Sequence, residues 1–265
     1  MASLHNYTFP GKQLWRNPLV RLFVEDPLAG GWTLGLDAAR SHYLLHVMRM
    51  GVGDSLLVFN GRDGEWRAQI DGAGKDWCSL KVAEQTRMRG YPSDIWLLMA
   101  PIKKPRLAIA VEKATELGAA LIWPVITRHT VMTGTKAEKL NLTAIEAAEQ
   151  CERLDVPDIR EPMPLMEVLA HWPEGRRLAV CAEAGESRPA LDVFSEWTQG
   201  GPRAAAILVG PEGGFAAEEL EVLAKLPFAT FIGLGPRVLR AETAVITALS
   251  LWQAVCGDGR LARMR

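Results

Sequence analysis

Ile207-Leu208-Val209-Gly210-Pro211-Glu212-Gly213-Gly214-Phe215 is the stretch whose reading decides the fold. A short apolar run ends in a loop rich in glycine. Residues 217–226 then place apolar and acidic residues at helical spacing. A strand that turns through glycines into a helix is the repeating unit of an α/β sheet, and ligands of such sheets bind beyond the carboxyl ends of the strands. Glycine also lets a backbone adopt φ > 0 and come close to a ligand. The glycines fall at 210, 213 and 214, which is not the GxGxxG spacing, and no Gly-Lys-Ser/Thr follows. Dinucleotide and Walker A loops are therefore not indicated. Taken alone, the loop also fits a plain strand-to-helix connection.

A second loop narrows the choice. Gly233-Leu234-Gly235-Pro236-Arg237-Val238-Leu239-Arg240 follows an apolar strand at 228–232 and runs into Ala241-Glu242-Thr243-Ala244. Two such loops on neighbouring strands make one pocket, and Arg237, Arg240 and Glu242 beside it are groups that a phosphate or a base requires. Glu242 in a first helical turn also favours the helix dipole, and arginines commonly serve as solvated surface charges.

Outward from these loops the pattern stays α/β. Strands are expected at 94–100, 120–126, 177–181, 204–209 and 228–232, and helices at 104–117 (closed by Gly118), 137–151, 165–171, 190–197, 217–226 and 241–255. In the last helix Val245, Ala248, Leu249 and Trp252 share one face. This alternation predicts an α/β domain with a mainly parallel sheet over residues 93–265. Upstream of the linker Arg87-Met88-Arg89-Gly90-Tyr91-Pro92-Ser93 the pattern changes. Strands at 20–24, 54–60, 65–70 and 77–82, turn signals at Gly61-Arg62-Asp63-Gly64 and Gly72-Ala73-Gly74, and one helix over 37–50 capped by Asp37 predict a small β-barrel over residues 20–88. Trp66 and Trp77 read as barrel core rather than as stacking platforms. His42 and His46 lie at i, i+4 without a third ligand and read as a plain helix face.

Composition removes several classes. The 265 residues carry a formal net charge of -1, whereas a dedicated nonspecific nucleic-acid binder is much more basic. RNA contact must then use local patches. Lys12, Arg16 and Arg21 precede the first acid, Glu25, and Lys103, Lys104, Arg106 and Lys113 form a second group opposed there by Glu112. Residues 1–19 read as an extension or basic arm; their few serines and the breaks at Pro10 and Pro18 do not suit a targeting peptide. No apolar run of about 18 residues predicts a membrane span. The four cysteines, Cys78, Cys151, Cys181 and Cys256, are scattered, with no metal-ligand spacing, which predicts no metal site and a reducing, cytoplasmic setting.

With both loops in view, the chain resembles the RsmE family of the SPOUT superfamily, bacterial enzymes that methylate N3 of a uridine in 16S rRNA. Leu208 to Phe215 and Leu234 to Ala244 look like the two signatures of that family. Glu112-Lys113-Ala114-Thr115-Glu116-Leu117-Gly118, Glu149-Gln150-Cys151 and His42-Tyr43-Leu44-Leu45-His46-Val47-Met48-Arg49-Met50 are similar to further family segments. The resemblance covers nearly all of residues 20–257. It implies a PUA-like RNA-binding barrel, a C-terminal domain with a trefoil knot, and a homodimer. It implies S-adenosylmethionine (AdoMet) in a pocket built by Leu208, Gly210, Pro211, Gly213, Gly214, Gly233, Leu234, Gly235, Val238, Leu239 and Thr243. Ala216 stands where the family often has Ser or Thr, so the capping box with Glu219 is expected to be incomplete.

Uracil N3 carries a proton, and as it leaves negative charge spreads to O2 and O4. Cations or fixed N–H donors aimed at those oxygens stabilise that charge. Arg240 is the expected residue nearest the base. Glu242 is a base or a partner that orients Arg240, and Glu212 is the alternative base. Arg21, Arg49, Lys103, Lys104, Arg106 and Arg237 are the expected contacts to 16S rRNA, within the small ribosomal subunit. Two other readings share the glycine loops: a SPOUT enzyme acting on a ribose 2′-hydroxyl or a tRNA guanine, and a noncatalytic RNA-binding assembly factor.

Overall fold

The computed structural model describes residues 19–90, 94–132, 134–182, 186–199 and 204–259. Lys12, Arg16 and the linker positions 91–93 lie outside the described residues. The chain divides into two units, residues 1–59 with 65–87, and residues 60–64 with 88–265.

In the first unit, strands β1 (Arg21–Phe23), β2 (Thr33–Gly35), β3 (Ser55–Phe59), β4 (Glu65–Ala73) and β5 (Cys78–Arg87) form one sheet in the order β1-β3-β4-β5-β2. Only the β1–β3 pair is parallel. Alternation sets the buried face: Leu56 and Val58, Ala68 and Ile70, and Leu80 and Val82 point into one core, where Leu44 also packs. The expected helix over 37–50 is shorter and changes type. Asp37 caps α1 (Ala38–His42) by accepting from Arg40 N at 2.8 Å. The chain then continues as a π-helix, Tyr43–Val47, closed by Met48 N donating to Tyr43 O at 2.9 Å.

Two side chains depart from expectation. Trp66 packs partly against the core, but Trp77 is 54% exposed, its indole lying where a Cβ on Gly74 would stand. Arg21 is buried against Glu65, its Nε donating to Oε2 at 2.9 Å, with its guanidinium 4.4 Å from the centre of the Phe59 ring. That burial removes Arg21 from the expected RNA contacts, because a guanidinium held inside a core presents nothing to a phosphate.

The second unit follows the βα alternation. Its elements are β6 (Ile95–Met99), α2 (Lys104–Glu116), β7 (Leu121–Ile126), α3 (Ala137–Cys151), β8 (Asp158–Ile159), β9 (Met163–Pro164), α4 (Leu165–Ala170), β10 (Arg177–Cys181), β11 (Arg188–Pro189), α5 (Ala190–Trp197), β12 (Ala205–Val209), α6 (Ala217–Lys225), β13 (Ala229–Gly233) and α7 (Ala241–Val255). The sheet runs β11-β13-β10-β12-β6-β7-β8, with β9 also on β7, and every pair in it is parallel. Strands buried on both faces are nearly all apolar, as a parallel sheet requires. Ala205, Ile207 and Val209 pack with α2, α3, α5 and α7, while Ala206 and Leu208 pack on the opposite face with α4 and α6.

The order of strands positions the site. Strands β13, β10 and β12 are consecutive neighbours in the sheet, so the loops leaving β10, β12 and β13 emerge side by side. Strand β13 lies beyond β10 from β12, and α7 returns from it to pack on α2, α5 and β12. No helix among the described residues is long and apolar enough to cross a membrane.

Candidate active site

The carboxyl ends of β10, β12 and β13 enclose a cleft of about 420 Å³, within the ~300–1,000 Å³ of ordinary small-molecule sites. Both glycine loops form its walls. Backbone conformation makes the glycines necessary at particular points. A Cβ at Gly210 would stand 2.9 Å from the Phe215 ring, which folds back over the loop. Gly214 and Gly235 have φ of +69° and +108°, and nothing lies within 4 Å of where their Cβ atoms would be. Open space therefore faces bare backbone on both walls.

Of the expected cofactor residues, Gly210, Pro211 and Gly214 line the cleft from the first loop. Gly233, Leu234, Gly235, Val238 and Leu239 line it from the second. Three do not line it. Leu208 is fully buried on the α4/α6 face, because strand alternation turns it away from Val209, which does line the cleft. Gly213 packs against His129. Thr243 is exposed, since the phase of α7 turns Ala241, Ala244 and Val245 inward instead.

Among the expected catalytic groups, Arg240 and Glu212 line the cleft and Glu242 does not. Arg240 is exposed at the N-cap of α7. Glu242 does not orient it: Glu242 Oε1 lies 3.7 Å from Arg106 Nε, and Glu212 Oε1 lies 3.9 Å from Arg106 Nη1. Arg237 is exposed on the second loop and lines the cleft. Lys103 and Lys104 are exposed at the start of α2, while Arg106 is engaged by the two carboxylates. Arg49, in the first unit, is exposed with a left-handed φ of 56°.

Local sequence gave no signal for His129, one of the groups that brace the first loop. His129, after β7, has Nδ1 3.2 Å from Gly213 O and 3.1 Å from Gly214 O. Carbonyl oxygens only accept, so Nδ1 carries the proton. Glu219 Oε2 accepts from Ala216 N and Oε1 from Arg128 N, both at 2.9 Å. Ala216 has no side-chain oxygen to return, so the capping box is half made. Cys181 and Ser187 also line the cleft; burial pushes the Cys181 thiol up to about 12, which leaves it neutral and without nucleophilic character.

A family model for an RNA methyltransferase domain matches residues 89–253, and one for the PUA domain of RNA methyltransferases matches residues 36–83. The ribosomal RNA small subunit methyltransferase E of Rickettsia conorii is 36% identical over 233 residues, 87% of this chain and 93% of that protein. This chain belongs to the ribosomal RNA small subunit methyltransferase E (RsmE) family. The RsmE protein of Bacillus subtilis is 30% identical, across 82% of this chain and 88% of its own length. Lpg2936 of Legionella pneumophila, described as a methyltransferase and solved in complex with the bound cofactor SAM (AdoMet), superposes with a TM-score of 0.78 at 30% identity, covering 89% of this chain and 97% of that one.

The residues present fit such a cofactor. Leu234, Val238 and Leu239 offer an apolar wall for a purine ring, and the loops around Gly210, Gly214 and Gly235 expose backbone N–H and C=O groups to polar atoms.

Proposed function

We propose that this RsmE chain transfers a methyl group from AdoMet to N3 of a uridine in 16S rRNA. One observation carries the reading: a single cleft at the carboxyl ends of β10, β12 and β13 is walled by both glycine loops and lined by Glu212, Arg237 and Arg240. When bound, AdoMet supplies an electrophilic methyl group on its sulfonium. Leu234, Val238, Leu239 and the glycine backbones hold the cofactor in the cleft. Glu212, the carboxylate that lines the cleft, takes the N3 proton of the uracil. Arg240 stands against the negative charge that then spreads to O2 and O4. Arg237, exposed at the rim, and Lys103 and Lys104 at the start of α2 neutralise RNA phosphates. Arg49 does the same from the first unit, the PUA-like RNA-binding domain. The target base is unpaired or flipped out of its stack to enter the cleft.

Three features of the family extend to the assembled protein. The chain after β13 is threaded as a trefoil knot; the strand order β11-β13-β10-β12, with parallel pairs throughout, supports this reading. The active form is a homodimer, supported by Val238, an apolar cleft residue left 82% exposed in the single chain. It works in the cytoplasm, on the small subunit.

The test is methyl transfer from labelled AdoMet to small ribosomal subunits that lack the modification, with the nucleosides resolved by mass spectrometry. A single 3-methyluridine product is expected. A labelled 2′-O-methyl nucleoside or methylguanosine would overturn the target, and absence of AdoMet binding would overturn the enzyme reading altogether.

A further inference from the structure

Three charged side chains from distant parts of the sequence meet beside the cleft. Arg106 in the first turn of α2 lies 3.9 Å from Glu212 through Nη1 and 3.7 Å from Glu242 through Nε. Glu212 lines the cleft, but Arg106 and Glu242 do not. The Glu242 side chain is 14% exposed, and its Oε2 is buried without a hydrogen-bond partner among the described residues. A buried acceptor left unmade costs stability, so the fold gains little from Glu242 standing there. What its other oxygen faces is the Arg106 guanidinium.

We infer that Arg106 is a positioning residue: anchored by Glu242, it holds the Glu212 carboxylate in place against the reacting base. The inference rests on the methyl-transfer reading above. A guanidinium is a rigid planar fork, so fixing its Nε edge on Glu242 fixes where Nη1 stands. Glu212 sits on a loop with its side chain 41% exposed, and a free glutamate there samples many rotamers. The charge on Arg106 removes that freedom at the point where the cleft needs a carboxylate. The same arrangement argues against an RNA contact by Arg106. Two carboxylates around one guanidinium leave a net negative charge, which repels phosphate. Lys103 and Lys104, exposed two to three residues earlier, have no such ion pair among the described residues. The Arg106–Glu212 pair is too exposed to add much stability, so its loss reads out in turnover rather than in melting.

The experiment uses the full chain and unmodified small subunits with labelled AdoMet. Arg106→Ala, Arg106→Lys, Glu212→Gln and the Arg106→Ala/Glu212→Gln double variant are compared for kcat, for KM toward subunits at two salt concentrations, for AdoMet affinity by calorimetry and for thermal melting. Arg106→Ala is expected to lower kcat about 10- to 100-fold, the scale of a misplaced reacting group. Its KM, salt dependence and AdoMet affinity stay at wild-type values, the melting temperature falls only by the cost of leaving the Glu242 carboxylate without its cation, and Arg106→Lys recovers part of the turnover. In the Glu212→Gln background, Arg106→Ala lowers kcat no further. Additive losses in the double variant, or a raised KM with a shallower salt dependence at unchanged kcat, would overturn the inference and return Arg106 to RNA binding. A wild-type chain that binds AdoMet but forms no 3-methyluridine would instead overturn the reading on which the inference rests.

Discussion

His129 Nδ1 stands 3.1 Å from the carbonyl oxygen of Gly214, so the loop after β7 fixes a peptide in the wall of the cleft from 85 residues away. The same N–H reaches Gly213 O, and the His129 Cβ stands 3.4 Å from where a Cβ on Gly213 would be. His129→Ala removes a donor but leaves the exposed carbonyls to water, so the fold is little affected. A hydrogen bond of this kind is worth about 1 kcal/mol net, and about 1.4 kcal/mol is tenfold in affinity. Calorimetry should show AdoMet binding weakened by about fivefold with melting unchanged. Wild-type affinity in the variant would mean that the loop holds its shape without His129.

The half-made cap at the start of α6 gives a stability prediction. Ala216 has the extended backbone of an N-cap, φ -68° and ψ 156°, without a side-chain acceptor. Ala216→Ser supplies the missing oxygen and should stabilise the protein by about 1 kcal/mol in denaturant unfolding, the usual worth of that group. Glu219→Ala acts in the other direction. It strips the acceptor from two backbone N–H groups, those of Ala216 and Arg128, and should cost about 1–3 kcal/mol. A neutral outcome for both would show that the start of α6 does not limit stability.

Most of the second unit was legible because its signals are local. Glycine-ended strands and the apolar face of α7 place the parallel sheet and both loops within a residue or two of where they lie. The failures share one cause, which is that the deciding partner is distant or the segment very short. Strand β2 buries only Leu34 between exposed Thr33 and Gly35, and β8, β9 and β11 have two residues each; neither gives a period to read. The turn at Tyr43–Val47 keeps an apolar pattern while its hydrogen bonds shift from i−4 to i−5, which periodicity does not register. The family resemblance implies Leu208 in the cofactor pocket, but strand alternation turns its side chain into the core. Arg21 looked like a free cation until Glu65, 44 residues on, closed around it.

That buried pair sets a pH dependence in the first unit. Burial by itself pushes the Glu65 carboxyl up, but hydrogen bonds from Arg87 and Thr86 and the charges of Arg21 and Arg87 outweigh it, and the group ends below its ordinary value of 4.5. A carboxylate with a depressed folded-state pKa adds stability that is complete above the unfolded value and is lost as pH falls through the folded value. Glu65→Gln takes the charge from the group that pairs with Arg21 and Arg87, and at neutral pH it should cost about 1–3 kcal/mol. The gap between wild type and variant should narrow only below pH 4.5. A gap that is constant down to acid pH would show that shape rather than charge makes Glu65 important.

Arg240 and Arg237 line the same cleft but are expected to fail differently. In the proposed reaction Arg240, at the N-cap of α7, faces charge that develops only as the N3 proton leaves. Arg240→Ala should therefore lower kcat about 10²- to 10³-fold, as loss of one transition-state donor does elsewhere, while AdoMet affinity stays at the wild-type value. Arg237 is exposed on the second loop, and its proposed role is to bind phosphate. Arg237→Ala should raise KM for the small subunit, leave kcat near wild type, and reduce the slope of log affinity against log salt by about one. Titrating both variants across salt concentrations separates the two roles. Wild-type turnover in Arg240→Ala would sink its place in the chemistry, and an unchanged salt slope in Arg237→Ala would sink the phosphate contact.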